Sequence, residues 1–115
     1  MMNALQITLR DVRRSEAIES RIRRAVRRLE RLHSAILGCR IVVESPHHHR
    51  RHGRQFVVRL DLKVPAGDIV VNRDHHENLC VALRQAFAAA GRQLEGYARR
   101  RRGEPRSPRR RTAPA

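Results

Sequence analysis

The sequence predicts an α+β fold: a β-α-β-β-β-α two-layer sandwich in which two helices pack on one face of a four-stranded sheet. Three observations carry that prediction. The hydrophobic spacing switches repeatedly between a period of two and a period of three to four, turn and cap residues fall at the switches, and 115 residues suit one domain with a single modest core.

The elements follow in order. Leu5, Ile7 and Leu9 alternate with Gln6, Thr8 and Arg10, which makes a first strand with one buried face. Ser15 offers an N-cap, and Glu16 and Glu19 sit in a first helical turn, where they complement the helix dipole. Ile18, Ile22, Ala25, Val26, Leu29 and Leu32 then form one apolar stripe. Gly38 marks the return, and Cys39, Ile41 and Val43 alternate with Arg40 and Glu44 as a second strand; residues 46–53 read as a loop. Phe56, Val58, Leu60, Leu62 and Val64 face one way along a third strand, Gln55, Val57, Arg59, Asp61 and Lys63 the other. Pro65-Ala66-Gly67 is a tight connection to a short fourth strand at 68–72, where Ile69, Val70 and Val71 in succession leave the inward face open. His75 and His76 read as a linker, and from there the period is helical again. Leu79, Leu83, Phe87, Ala90 and Leu94 are in line, and Ala86 and Tyr97 flank them.

Charge organises the rest. Lysine and arginine total 26 against 11 acids, a net charge of +15, and Lys63 is the sole lysine. Arginine's planar fork suits bidentate phosphate contact, so a polyanion is the first partner implied. Residues 99–115 hold eight arginines, one acid and three of the five prolines, which predicts a disordered tail after a folded binding domain at 1–98. That tail carries +7, leaving +8 on the folded part. The surface of the domain is therefore basic in its own right.

On the first helix, Arg21, Arg24, Arg28 and Arg31 form a row without acidic neighbours, whereas Arg23 lies four residues after Glu19 and Arg27 three before Glu30. Arg84, Arg92 and Arg99 to Arg102 (Arg99, Arg100, Arg101, Arg102) extend the basic surface along the second helix, and Arg50 and Arg51 join it from the loop. The two outer helix faces are expected to form one cationic platform that reads phosphate backbones by shape. Phe56 and Phe87 fall on faces expected to be buried, which argues against stacking of single-stranded bases on the sheet.

Other chemistries find little footing. His47, His48, His49 and His52 cluster beside Arg50 and Arg51, which would repel a cation, so no metal is expected. Cys39 and Cys80 share the register of apolar neighbours and read as core fillers. With singly spread acids and no phosphate-cradling Gly-rich loop, neither catalysis, a cofactor nor a small-molecule substrate is implied. No stretch approaches the ~18 apolar residues of a membrane span and the start lacks a signal-peptide layout, so a cytoplasmic protein with no membrane partner is expected.

Several strings, in this order and spacing, resemble the bacterial ribosome hibernation promoting factors, also described as ribosome-associated inhibitors or sigma-factor modulation proteins. They are Gln6-Ile7-Thr8, Arg28-Leu29-Glu30-Arg31, Val64-Pro65-Ala66-Gly67, Ile69-Val70-Val71-Asn72-Arg73, His76-Glu77, the run from Val81 to Phe87, and Arg92-Gln93-Leu94-Glu95. The likeness spans residues 5–103. It implies a fold similar to double-stranded-RNA-binding domains and a stationary-phase or stress role. In that role the protein would lodge on rRNA in the mRNA and tRNA channel of the small ribosomal subunit and silence translation. By the same likeness Arg28, Arg31 and Arg92 fall at positions commonly basic in the family, while Cys80 stands where a tyrosine, and Asn78 where an acid, is usual. The chain resembles a short form, ending in an arginine tail where long members add a dimerisation domain; its oligomeric state is left open. A general structured-RNA binder or RNA chaperone without a dedicated ribosomal site is the alternative.

Overall fold

The computed structural model describes residues 4–45, 48–49, 53–76 and 78–103. The elements are β1 (Ala4–Arg10), α1 (Glu16–Leu32), β2 (Gly38–Glu44), β3 (His48–His49), β4 (Gly53–Arg54), β5 (Phe56–Val64), β6 (Gly67–His76) and α2 (Leu79–Arg101). The main sheet has the order β1-β2-β5-β6, with β1 parallel to β2 and the later pairs antiparallel. Because adjacent parallel strands need a crossover, α1 is the helix of a β-α-β unit. The predicted α+β sandwich is the observed one.

Register decides which side is the core. Cys39 pairs with Leu62 and Leu62 with Ile69; one step along, Ile41 pairs with Leu60 and Leu60 with Val71. These residues are buried, together with Ile22, Val26 and Leu29 of α1 and Leu83, Ala86, Ala90 and Leu94 of α2, in one cluster. Both helices therefore cover one face. The same pairing answers what the run at 69–71 leaves open: Ile69 and Val71 point inward, and Val70 is exposed.

Local chemistry fixes the ends. The Ser15 side chain accepts from the Ile18 amide at 3.4 Å and caps α1. Asn78 does the same for α2, accepting from the Val81 amide at 3.1 Å. Two residues, Pro65 and Ala66, turn β5 into β6, and Gly67 enters β6 at φ 145°, a conformation that favours glycine. Fully buried Ser45 ties the strand ends together: its hydroxyl donates to the Gln55 carbonyl at 3.0 Å and its amide to the Arg10 carbonyl at 3.2 Å.

Four expectations are corrected. Within the expected loop at 46–53, His48 and His49 pair with Arg54 and Gly53 as a two-residue ladder; 46–47 and 50–52 lie outside the described residues. β6 runs on through His75 and His76, because Phe56 pairs with His76 beyond a register shift between Phe56 and Val58. Arg99 to Arg101 continue α2 instead of opening the tail, since the buried face persists through Tyr97; the tail from 104 onward lies outside the described residues. Finally, the helix stripes are rolled. Ala82, Ala86 and Ala89 are buried, so α2 settles low on the sheet, and Phe87 is left half-buried and Leu32 at 65% exposure. Among the described residues no helix is long and apolar enough to cross a membrane.

Two buried groups generate tests. Burial, reinforced by the charges of Glu30 and Asp61, pushes the Cys39 thiol up to about 12. A thiol raised in the folded state helps stability below its ordinary pKa, and that help is lost as pH climbs from about 9 toward about 12. In native protein at pH 8, Ellman's reagent should therefore titrate half-buried Cys80 at once and Cys39 only after unfolding. Among the described residues the buried Tyr97 hydroxyl has no hydrogen-bond partner, a loss of about 1–3 kcal/mol. Urea melts of Tyr97→Phe should show equal or greater stability, by up to about 2 kcal/mol.

Candidate nucleic-acid interface

The two outer surfaces of the sandwich differ in how their charges are used. On the uncovered sheet face, Arg10 meets Glu44 at 3.7 Å, Arg59 meets Asp61 at 3.9 Å, and Lys63 meets Asp68 at 3.4 Å. Near the start of α1, Glu19 takes both Arg14 and Arg23, the latter at 3.6 Å. Among the described residues, Arg21, Arg24, Arg28, Arg31, Arg84 and Arg92 make no ion pair. Apart from Arg40, the described cations of the sheet face are paired in this way, and those of the helix pair are mostly not.

The geometry of the helix pair concentrates that excess. Between α1 and α2 lies an open groove of about 490 Å³. Arg21, Arg24 and Arg28 line it from α1 and Arg84 from α2, around a floor that includes Ala25, Leu32, Leu83 and Phe87. Spacings of three and four residues place the α1 arginines on one flank, and Arg84 reaches the same space because Cys80, Arg84, Ala88 and Gly91 run down the facing side of α2. The helices approach where α2 has no side chain: a Cβ on Gly91 would stand 3.9 Å from Leu29 Cδ2. Among the described residues no carboxylate lines the groove.

The structure brings only part of the predicted set together. Arg31 and Arg92 are exposed on the same helices but do not line the groove. Arg99, Arg100 and Arg101 form the last turn of α2, about 24 Å along the axis from Arg84 at 1.5 Å per residue. There Arg100 and Arg101 line a second depression with Tyr97, Ala66, Gly67 and Asp68, and the Arg101 guanidinium lies 5.7 Å from the Tyr97 ring centroid. Arg102 is the C-cap residue, its amide donating to the Ala98 carbonyl at 3.1 Å. The predicted set thus falls into two clusters, one between α1 and α2 and one at the C-terminal end of α2. Arg50, Arg51 and the candidate metal ligands His47 and His52 lie outside the described residues, and of His48 and His49 only the backbone is described.

The expected contact of Arg27 with Glu30 is not made; Glu30 instead lies near enough to Cys39 for its charge to act on the thiol. Sequence reasoning also missed the apolar floor. Phe87 and Leu32 read as core in a helical stripe, and only the small residues beside Phe87 on the groove side of α2, Cys80, Ala88 and Gly91, hint that the helices leave space there.

Comparison with known proteins places this geometry. A search of curated proteins by sequence finds no match. Among solved structures, a ribosomal subunit interface protein from Coxiella burnetii is similar with a TM-score of 0.69 at 16% identity, covering 83% of this chain and 97% of that one. The N-terminal domain of Protein Y from Thermus thermophilus is similar with a TM-score of 0.67 at 18% identity, covering 84% and 99%. At these identities the likeness concerns the fold. The family model described as sigma 54 modulation protein / S30EA ribosomal protein matches residues 5–102, and the chain belongs to that family.

Proposed function

We propose that this protein is a ribosome-associated, non-enzymatic translation silencer of the cytoplasm, which binds rRNA in the mRNA and tRNA channel of the small subunit during stress or stationary phase. The observation that carries the reading is the helix-face arginine set, which meets no carboxylate among the described residues. Membership of a family described as ribosomal, and a fold shared with a protein titled a ribosomal subunit interface protein, support the ribosome as the source of the phosphate.

The mechanism is occupation. Arg21, Arg24, Arg28 and Arg84 hold guanidinium forks where a folded RNA can present its backbone, and each neutralised phosphate releases counterions. Arg31 and Arg92 widen the contact along the same helices. Arg99 to Arg102 add a second point of attachment, as do Arg50 and Arg51 from the segment between β2 and β5. Two separated basic clusters favour a large, shaped RNA over a short strand. A domain lodged in the channel excludes mRNA and tRNA by volume, with no bond made or broken.

Pelleting with purified small subunits tests this. The four groove arginines alone predict a loss of affinity on the order of a hundredfold between 50 and 200 mM salt, and the further arginines make the total loss larger. Replacing Arg21, Arg24, Arg28 and Arg84 together by glutamine should lower the slope of log affinity against log salt by about three to four and release the protein from subunits. Binding that survives both treatments overturns the proposal. A protein titrated off the subunit by a modest excess of bulk RNA would instead be a general structured-RNA binder.

A further inference from the structure

We infer that the groove between α1 and α2 holds one unpaired RNA base, its flanking phosphates resting on the arginine rim. The inference deepens the proposed RNA binding and rests on it. The starting point is a mismatch between what phosphate binding needs and what the groove contains. A surface that merely neutralised a duplex backbone would need cations alone, because a duplex keeps its bases stacked inside and offers its outer edge. This groove has a floor as well as a rim.

The floor is apolar and includes an aromatic ring. Phe87, expected in the core, is only half-buried and lines the groove, and Leu32 beside it is 65% exposed. Apolar surface left open in this way gains from being covered. A nucleobase is flat, stacks on aromatic faces regardless of its identity, and arrives attached to the phosphates that the rim attracts. Guanidinium planes such as those of Arg24 and Arg84 also stack on bases, so the rim can close over the opposite face of the ring. The volume of about 490 Å³ lies in the range of small-molecule sites and is far too small for a duplex.

An acidic peptide with apolar anchors is the rival occupant. It would use the groove arginines but leave idle Arg31 and Arg92, which are exposed on the same two helices and make no ion pair among the described residues. A continuous polyanion engages both sets. The geometry therefore favours a base flipped out of a structured RNA.

The test uses two RNA hairpins that are identical except at one bulged position, which carries 2-aminopurine in one and an abasic sugar in the other. The full-length protein should bind the base-containing hairpin roughly five- to a hundredfold more tightly and quench its 2-aminopurine fluorescence on stacking. Phe87→Leu removes the ring, and Ala88→Met fills the groove from an exposed position without adding an aromatic face; both should bind the two hairpins equally and leave the fluorophore unquenched. Thermal melts check that each variant is folded, and Ala88→Met carries the test if Phe87→Leu is not. Equal binding of the two hairpins by the unaltered protein overturns the base site. If the fourfold arginine variant then still loses the hairpins, the phosphate reading stands alone; if it binds them as before, that reading fails too. An oligoglutamate peptide bearing leucines that binds more tightly than either hairpin, and is blocked by Ala88→Met, would assign the groove to a protein and also overturn the inference.

Discussion

A sheet with one apolar face and one charged face leaves its helices no choice of side. Arg40, Arg59, Asp61 and Lys63 project from the strands opposite Ile41, Leu60 and Leu62, and covering them with a helix would strip four charged groups of water. α1 must cross from β1 to the parallel β2 on the apolar side, and α2 must return from β6 to the same side to bury Leu83, Ala86 and Leu94. Two helices forced side by side have neighbouring outer surfaces. Arginines from distant parts of the chain, Arg28 and Arg84 among them, meet around one groove for that reason alone.

Electrostatic division of labour follows from where the acids lie. Exposed ion pairs such as Arg10 with Glu44 or Lys63 with Asp68 contribute little to stability, about 0–1 kcal/mol each. Their larger effect is on the field outside the protein, since they cancel charge over the sheet and leave it uncancelled over the helices. Like charges three or four residues apart on α1 repel by a few tenths of a kcal/mol per pair. A phosphate bound there would remove that repulsion, so part of its binding energy would be relief of repulsion already present in the free protein.

The architecture was legible because it rests on period. The alternation at Phe56 to Val64, the Ser15 cap and the order of elements all stand in the structure as read, since a face that must be buried tolerates no slip. The family likeness was legible for the same reason, its strings being tied to strand and helix positions. What period alone could not reveal was rotation. A helical stripe defines a direction to within a fraction of a turn, and the choice between burying Phe87 and burying Ala82, Ala86 and Ala89 depends on how closely the backbone can approach the sheet. Three alanines are buried there, and Phe87 sits at the edge of the core, half-buried. Nor could spacing separate Arg100 from Arg84, because reading both as outward ignores the length of α2 between them.

The groove is held open by small residues where stability alone would favour larger ones. Gly91 lies within α2, where glycine costs about 0.5–1 kcal/mol relative to alanine, yet a Cβ there would make only ordinary contact with Leu29 at 3.9 Å. Ala88, exposed on the next turn, could carry a long side chain across the gap at no cost to the core. Chain composition thus leaves unfilled a space that packing would readily close, beneath four arginines that gain nothing from each other. Local departures of this kind from the most stable choice are where function is expected. The departure and the charge excess coincide at one place on the molecule, and a ligand that is both anionic and flat satisfies both.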